Sequence, residues 1–193
     1  MNVIVGLGNP GQTYHETRHN AGFMVIQRLG ERDHVEMRNR LVGPDGRPSG
    51  VSGEYLHETK PVRLLMPLTM MNESGEALRG LEVARADVLI VCDDVNLPLG
   101  TLRMRPAGSA GGHHGLQSCL EVLGTEDVPR LRLGIGTQEP LPDDLRDFVL
   151  SPFRREERPV VQRMIEQAAD ACETWVTKGM DVAMTQYNRA SEA

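Results

Sequence analysis

At 193 residues the chain is sized for one domain with a sizeable core, and 39% hydrophobic with 25% charged residues is a globular composition. A formal net charge of −6 weakens any claim of global attraction to nucleic acid but leaves room for a local basic face. No apolar run reaches the roughly 20 residues of a membrane-spanning helix. Three widely spaced cysteines, Cys92, Cys119 and Cys172, argue against a disulfide framework or a zinc site and fit a reducing cytoplasm.

In chain order, Asn2–Val5 reads as a short buried strand ended by Gly6, with no basic leader before it. Residues from Arg18 to Leu29 fit a helix that Gly30 would stop. His34–Val42, Val51–Leu56 and Val62–Met66 read as strands, the first two joined by the turn-rich stretch from Gly43 to Gly50. Asn72 to Glu76 leads into a helix with Ala77, Leu78 and Leu81 at helical spacing, and Asn72 suits its N-cap. Asp87–Cys92 is a continuous apolar run flanked by charge, the pattern of a central strand. Thr101–Arg105 alternates, as a strand with one wet face would. A Gly/Ser/Ala loop from Pro106 to Gly112 precedes a helix opened by His113 or His114 and running to Leu123. Leu131–Ile135 is a further strand, Pro140-Leu141-Pro142 a stiff turn, and Arg155–Lys178 a long amphipathic helix with Pro159 tolerable only in its first turn. A short helix closes the chain before Ala190. This alternation predicts a single α/β domain over residues 1–193: a twisted, mixed but mostly parallel sheet with helices on both faces, antiparallel between residues 34 and 66.

The first strand runs into Gly6-Leu7-Gly8-Asn9-Pro10-Gly11, whose glycines match a dinucleotide-binding loop. That reading fails on three counts. A polar stretch, Gln12 to Thr17, follows where the helix should begin; Pro10 removes a backbone N–H from the would-be phosphate cradle; and neither Glu31 nor Asp33 clearly ends a second strand. A hydrolytic reading does better. Asn9 lies past the first strand, Asp93 and Asp94 end the apolar run, and His19, His113 and His114 are nearby candidates for a base. An Asp can hold one imidazole nitrogen as N–H and free the other to take a proton. With no G-x-S-x-G nucleophile and no cysteine in a motif, the pattern suits activation of water.

Taken together, Val5–Gly11 with Tyr14 and Thr17–Gly22, then Pro67–Gly75, Asp93–Gly100, Gly111–Leu116 and Leu131–Gly136 resemble, in order and over nearly the whole chain, the bacterial-type peptidyl-tRNA hydrolases. The resemblance implies hydrolysis of the ester between a peptide and the 3′ ribose of tRNA, recycling tRNA from stalled translation, with no cofactor and no metal. It implies that His19 is the general base, Asp93 its orienting partner, and Asn9 the amide that recognises the peptide end. Tyr14, Met70 and Asn72 match positions that contact substrate. Arg103 and Arg105, on one face of an alternating strand, would clamp phosphates of the acceptor stem, with Arg130 and Arg132 as weaker candidates. Peptidyl-tRNA is then the partner of a cytoplasmic monomer. One position departs: His114 stands where the family usually has Asn, putting a titratable group in place of an amide. Asp94, His15, His34 and His57 are expected at the surface. The alternative is an RNA-binding, splicing-cofactor-like relative with little or no hydrolase activity; the joint presence of Asn9, His19 and Asp93 argues against it.

Overall fold

Val3, Ile4 and Val5 are completely buried because β1 (Asn2–Gly6) is sandwiched in the sheet plane between parallel neighbours and covered on both faces. The computed structural model describes residues 1–137 and 144–188; the proline turn at 140–142 lies outside them. In chain order follow α1 (Ala21–Arg32), β2 (Asn39–Val42), β3 (Pro48–His57), β4 (Lys60–Pro67), a 3-10 helix (Met71–Leu78), β5 (Val88–Pro98), β6 (Leu102–Arg105), α2 (His114–Leu123), β7 (Arg130–Gly136), α3 (Leu145–Val149), α4 (Arg158–Lys178) and α5 (Met180–Tyr187). The seven strands form one sheet in the order β2-β3-β4-β1-β5-β7-β6. Its centre is parallel, β2-β3-β4 are antiparallel as expected, and β6 adds an unforeseen antiparallel edge on β7.

Strand alternation sends Ile4, Leu89, Val91, Leu131 and Leu133 to a core under α1 and α4, and Val3, Val5, Val88, Ile90 and Cys92 to a second core under α2 and the 3-10 helix. Helices therefore cover both faces of an α/β domain, as the alternation predicts. Several boundaries differ from expectation. The segment from His34 to Arg38 is not strand. Helix α1 begins after a 3-10 turn (Arg18–Asn20) and runs through Gly30 to Arg32. The second helix is 3-10, its N-cap is Met70, and Asn72 lies inside its first turn. Pro159 falls in the first turn of α4, where it costs no hydrogen bond.

The glycines of the first loop act mainly by being small. A Cβ on Gly6 would sit 2.3 Å from the Gly22 carbonyl oxygen, and one on Gly22 would sit 2.5 Å from both the Leu7 nitrogen and the Val91 oxygen. These two residues let α1 lie directly on β1 and β5. Gly8 makes room for the Phe23 ring, and only Gly11, at φ 104°, uses a left-handed backbone.

Candidate active site

Strand β1 ends level with Val91, whereas β5 continues past it, so Asp93 and Asp94 stand just beyond the carboxyl end of β1, where a parallel sheet leaves room for a ligand. The turn that starts α1 brings His19 there. Its Nδ1 lies 2.9 and 3.1 Å from the two Asp93 carboxylate oxygens, although the two residues are 74 apart in sequence. From the other face, His113 places Nε2 at 3.0 Å from the same carboxylate. His113 is also the N-cap of α2: its Nδ1 accepts the Leu116 backbone N–H at 3.1 Å. A neutral imidazole has one N–H, so His113 carries it on Nε2 and donates it to Asp93. His19 donates from Nδ1, and its Nε2 has no partner among the described residues. The two rings are 4.9 Å apart between centroids.

Asp93 is 3% exposed. Burial pushes its carboxyl up, but the charges of His113 and His19 and their hydrogen bonds outweigh this and hold it well below the usual carboxylate range. His19, Asp93 and His113 bring three possible metal-ligand atoms within 4.8 Å of one another. The donor set does not suit a cation, however, because a metal on His113 Nε2 would force the ring's one proton onto Nδ1, which has to accept the Leu116 N–H. The three cysteines are buried with free thiols, and burial raises each above its ordinary value, to about 12 at Cys119, so none is an activated nucleophile.

Asn9 is fixed on three sides. Its backbone N–H donates to Asn20 Oδ1 at 2.9 Å, its carbonyl accepts from Asn20 Nδ2 at 2.9 Å, and its own Oδ1 accepts the Met71 N–H at 2.8 Å. Its Nδ2 donors are left unspent among the described residues. Asn20 adjoins His19, so one amide pair ties the His19 turn to the Asn9 loop. Met70 and Asn72, both exposed, flank Met71 and thus edge the same site. Tyr14 is half-buried on the 3-10 turn Gln12–Tyr14, its carbonyl accepting the Thr17 hydroxyl at 2.8 Å. His114 is exposed in the first turn of α2, next to His113.

Arg103 and Arg105 lie on the edge strand β6, two strands from β5, a distance of about 10 Å by ordinary sheet spacing. They are opposite Arg132 and Arg130 respectively, so all four share the α2 face. Arg103 is half-buried, Arg105 is exposed, and neither is ion-paired among the described residues. Arg130 is different: it is buried and donates to the carbonyls of Val128, Gly108, Ser109 and Glu126, holding the glycine loop rather than a ligand. Arg132 pairs with Asp94 at 3.0 Å, and Asp94 is 5% exposed, not at the surface as the sequence suggests. His15 and His34 are exposed, and His57 is half-buried.

Two contributors, Asn20 and Arg18, were missed from sequence, and a third, His113, was read only as a candidate base. His113 proves to be a second partner of Asp93 and the cap of α2, while Asn20 had a local signal in its membership of the Thr17–Gly22 block. Arg18 belongs to the same block, but nothing in the sequence indicates that this charged residue would be 2% exposed. Its guanidinium lies between the Phe148 and Phe153 rings, 4.6 and 5.0 Å from their centroids, and pairs with Glu157 at 2.7 Å. With the Thr17–Pro152 bridge and the Arg18 N–H to Ser151 carbonyl bond at 3.0 Å, it anchors the turn carrying His19 to the segment after α3.

Comparison with known proteins agrees with this geometry. The peptidyl-tRNA hydrolase family model matches residues 3–193. The peptidyl-tRNA hydrolase of Syntrophomonas wolfei is 42% identical over 192 residues, 97% of this chain and all of that protein. That of Desulfitobacterium hafniense is 42% identical over 193 residues, 98% of this chain and all of that protein. The crystal structure of peptidyl-tRNA hydrolase from Acinetobacter baumannii superposes with a TM-score of 0.88 at 32% identity, covering the whole of this chain and 97% of that one. The chain belongs to the peptidyl-tRNA hydrolase family.

Proposed function

We propose that this chain hydrolyses the ester of peptidyl-tRNA, the activity of its family, with His19 as the general base and Asp93 as the group that orients it. The observation that carries the assignment is the bond from His19 Nδ1 to a buried carboxylate, which leaves Nε2 as the acceptor. A water donates a proton to Nε2 while its oxygen attacks the ester carbonyl carbon. Asp93 offsets the charge that the ring gains. The tetrahedral intermediate collapses by expelling the ribose 3′ oxygen, which takes the proton back from His19. Free peptide and free tRNA result, and the base is regenerated. The Nδ2 donors of Asn9, held by the Met71 bond, serve the peptide end and its carbonyl oxygen, as amides can without titrating.

Tyr14, Met70, Asn72 and His114 border this centre and contact the substrate on either side of the scissile bond. Arg103 and Arg105 receive phosphates of the acceptor stem, a task suited to guanidinium forks that have no ion-pair partner among the described residues. We read the protein as a monomer working in the cytoplasm, a compartment that suits three free thiols. The test is peptide release from N-acetyl-aminoacyl-tRNA. The protein releases peptide, and His19→Ala lowers the rate by about 10²–10⁴-fold with an unchanged circular dichroism spectrum. Wild-type turnover by the variant refutes the assignment of the base; tRNA binding without release by the intact protein refutes the enzyme.

A further inference from the structure

Asn188 follows α5 and is 84 residues from its partner in sequence. Its Oδ1 accepts the Met104 backbone N–H at 2.6 Å, and its Nδ2 donates to the Met104 carbonyl at 3.0 Å. One side-chain amide thus makes the pair of bonds that an antiparallel neighbour strand would make. Met104 lies between Arg103 and Arg105 on β6, a four-residue strand at the edge of the sheet. The Met104 side chain is itself completely buried in the α4 core, while the two arginines project to the opposite face. The residue between the arginines is therefore held by its side chain and by both backbone groups.

The holder is itself anchored. Helix α5 turns back from α4 at Gly179 (φ 85°), buries Ala183 completely, and ties Tyr187 to Thr174 across 3.2 Å. The Asn188 N–H is bonded to the Met184 carbonyl at 3.0 Å. A short strand paired on one side only would otherwise leave its outward N–H and C=O to water and fray.

We propose that Asn188 is a positioning residue for tRNA recognition, fixing the edge-strand backbone so that Arg103 and Arg105 meet the acceptor-stem phosphates together. This rests on the reading of those two arginines as phosphate contacts. It assigns to the end of the chain, far from His19 in sequence, a part in substrate affinity and none in bond cleavage.

The test compares full-length N-acetyl-aminoacyl-tRNA with the same ester on a CCA trinucleotide, which lacks the stem. Asn188→Ala raises KM for the full-length substrate by about threefold to tenfold, the worth of one or two hydrogen bonds. It leaves kcat within twofold and the trinucleotide kinetics unchanged. Asn188→Gln, which keeps the amide, recovers part of the affinity. In an Arg103→Ala/Arg105→Ala background, Asn188→Ala has no further effect on KM. The proposal is overturned if Asn188→Ala leaves the full-length KM unchanged, or if the trinucleotide suffers equally, which would mark a merely structural role. An Arg105→Ala variant run in parallel separates the two readings. If it too leaves KM unchanged, the phosphate assignment fails; if it alone raises KM, only the role of Asn188 fails.

Discussion

Asp93 serves two imidazoles with one carboxylate, and the two serve it differently. His113 is committed: its Nδ1 caps α2 and its Nε2–H is spent on Asp93. Of the two, only His19 has a nitrogen left to accept a proton. This explains why two histidines close to one carboxylate yield a single candidate base. It also gives stability a pH dependence. The native Asp93 carboxyl is held below its unfolded value of about 3.9. Such a group stabilises the fold fully above the unfolded value, and its contribution fades as pH falls below that and towards the native value. Urea unfolding from pH 6 to pH 2 is therefore expected to show a stability gap between wild type and Asp93→Asn that is constant above about pH 5 and narrows below about pH 4. A gap that persists unchanged to pH 2 would show that the ionised carboxylate adds nothing to the fold. At this scale the family blocks made His19, Asp93 and Asn9 legible. A meeting of a glycine-loop His with a strand-end Asp was legible too, but the sharing of one carboxylate by two rings was not, because it depends on how strand order and the turn before α1 bring both rings to Asp93.

The elements place these residues through a single close contact. With no side chain on Gly6 or Gly22, α1 lies against the backbone of β1 and β5, and the turn before α1 delivers His19 to Asp93. A methyl group on Gly22 meets backbone on three sides and cannot be relieved by rotating a side chain. Gly22→Ala is expected to destabilise the protein by about 1–3 kcal/mol or more and, in whatever still folds, to lower kcat by pushing His19 outward. Thermal melts and peptide release measure the two effects; a variant as stable and active as wild type would mean that the helix seat is more tolerant than these contacts allow. The same packing logic explains which elements sequence misjudged. Gly30 looks like a helix stop, but the chain ends α1 two residues later, and Val35 then folds back to bond the Gly30 carbonyl at 2.8 Å. The segment after Asn72 has helical spacing yet forms a 3-10 helix, pressed against α2 where the Gly75 N–H meets the Ser118 hydroxyl at 3.0 Å. Strand β5 outruns its apolar pattern because Asp93 and Asp94 are each neutralised by partners from other elements. Each misjudgement is a case where a tertiary neighbour overrode a local propensity.

Over the whole molecule, a net charge of −6 has to coexist with a polyanionic substrate. The distribution of charge resolves the conflict. On the α1–α4 side, Arg28 and Arg32 are neutralised by Glu166, Asp170 and Glu173, so these two offer little to a phosphate. On the opposite face, beside the His19–Asp93 centre, Arg103 and Arg105 have no ion-pair partner among the described residues. Attraction to tRNA should therefore be local, resting on a few contacts and strongly dependent on salt. Each phosphate contact removed lowers the steepness of log affinity against log salt by about 0.7 to 0.9. Arg105→Ala is accordingly expected to weaken binding of an uncleavable peptidyl-tRNA analogue and to flatten its salt slope by about one unit. Arg28→Ala, on the neutralised face, should leave the slope as it was. Equal slopes for Arg105→Ala and wild type between 50 and 200 mM salt (the range over which such contacts are normally resolved) would move the tRNA off this edge of the sheet. The arginines would then have to be explained, like those on the other face, by their neighbours within the protein.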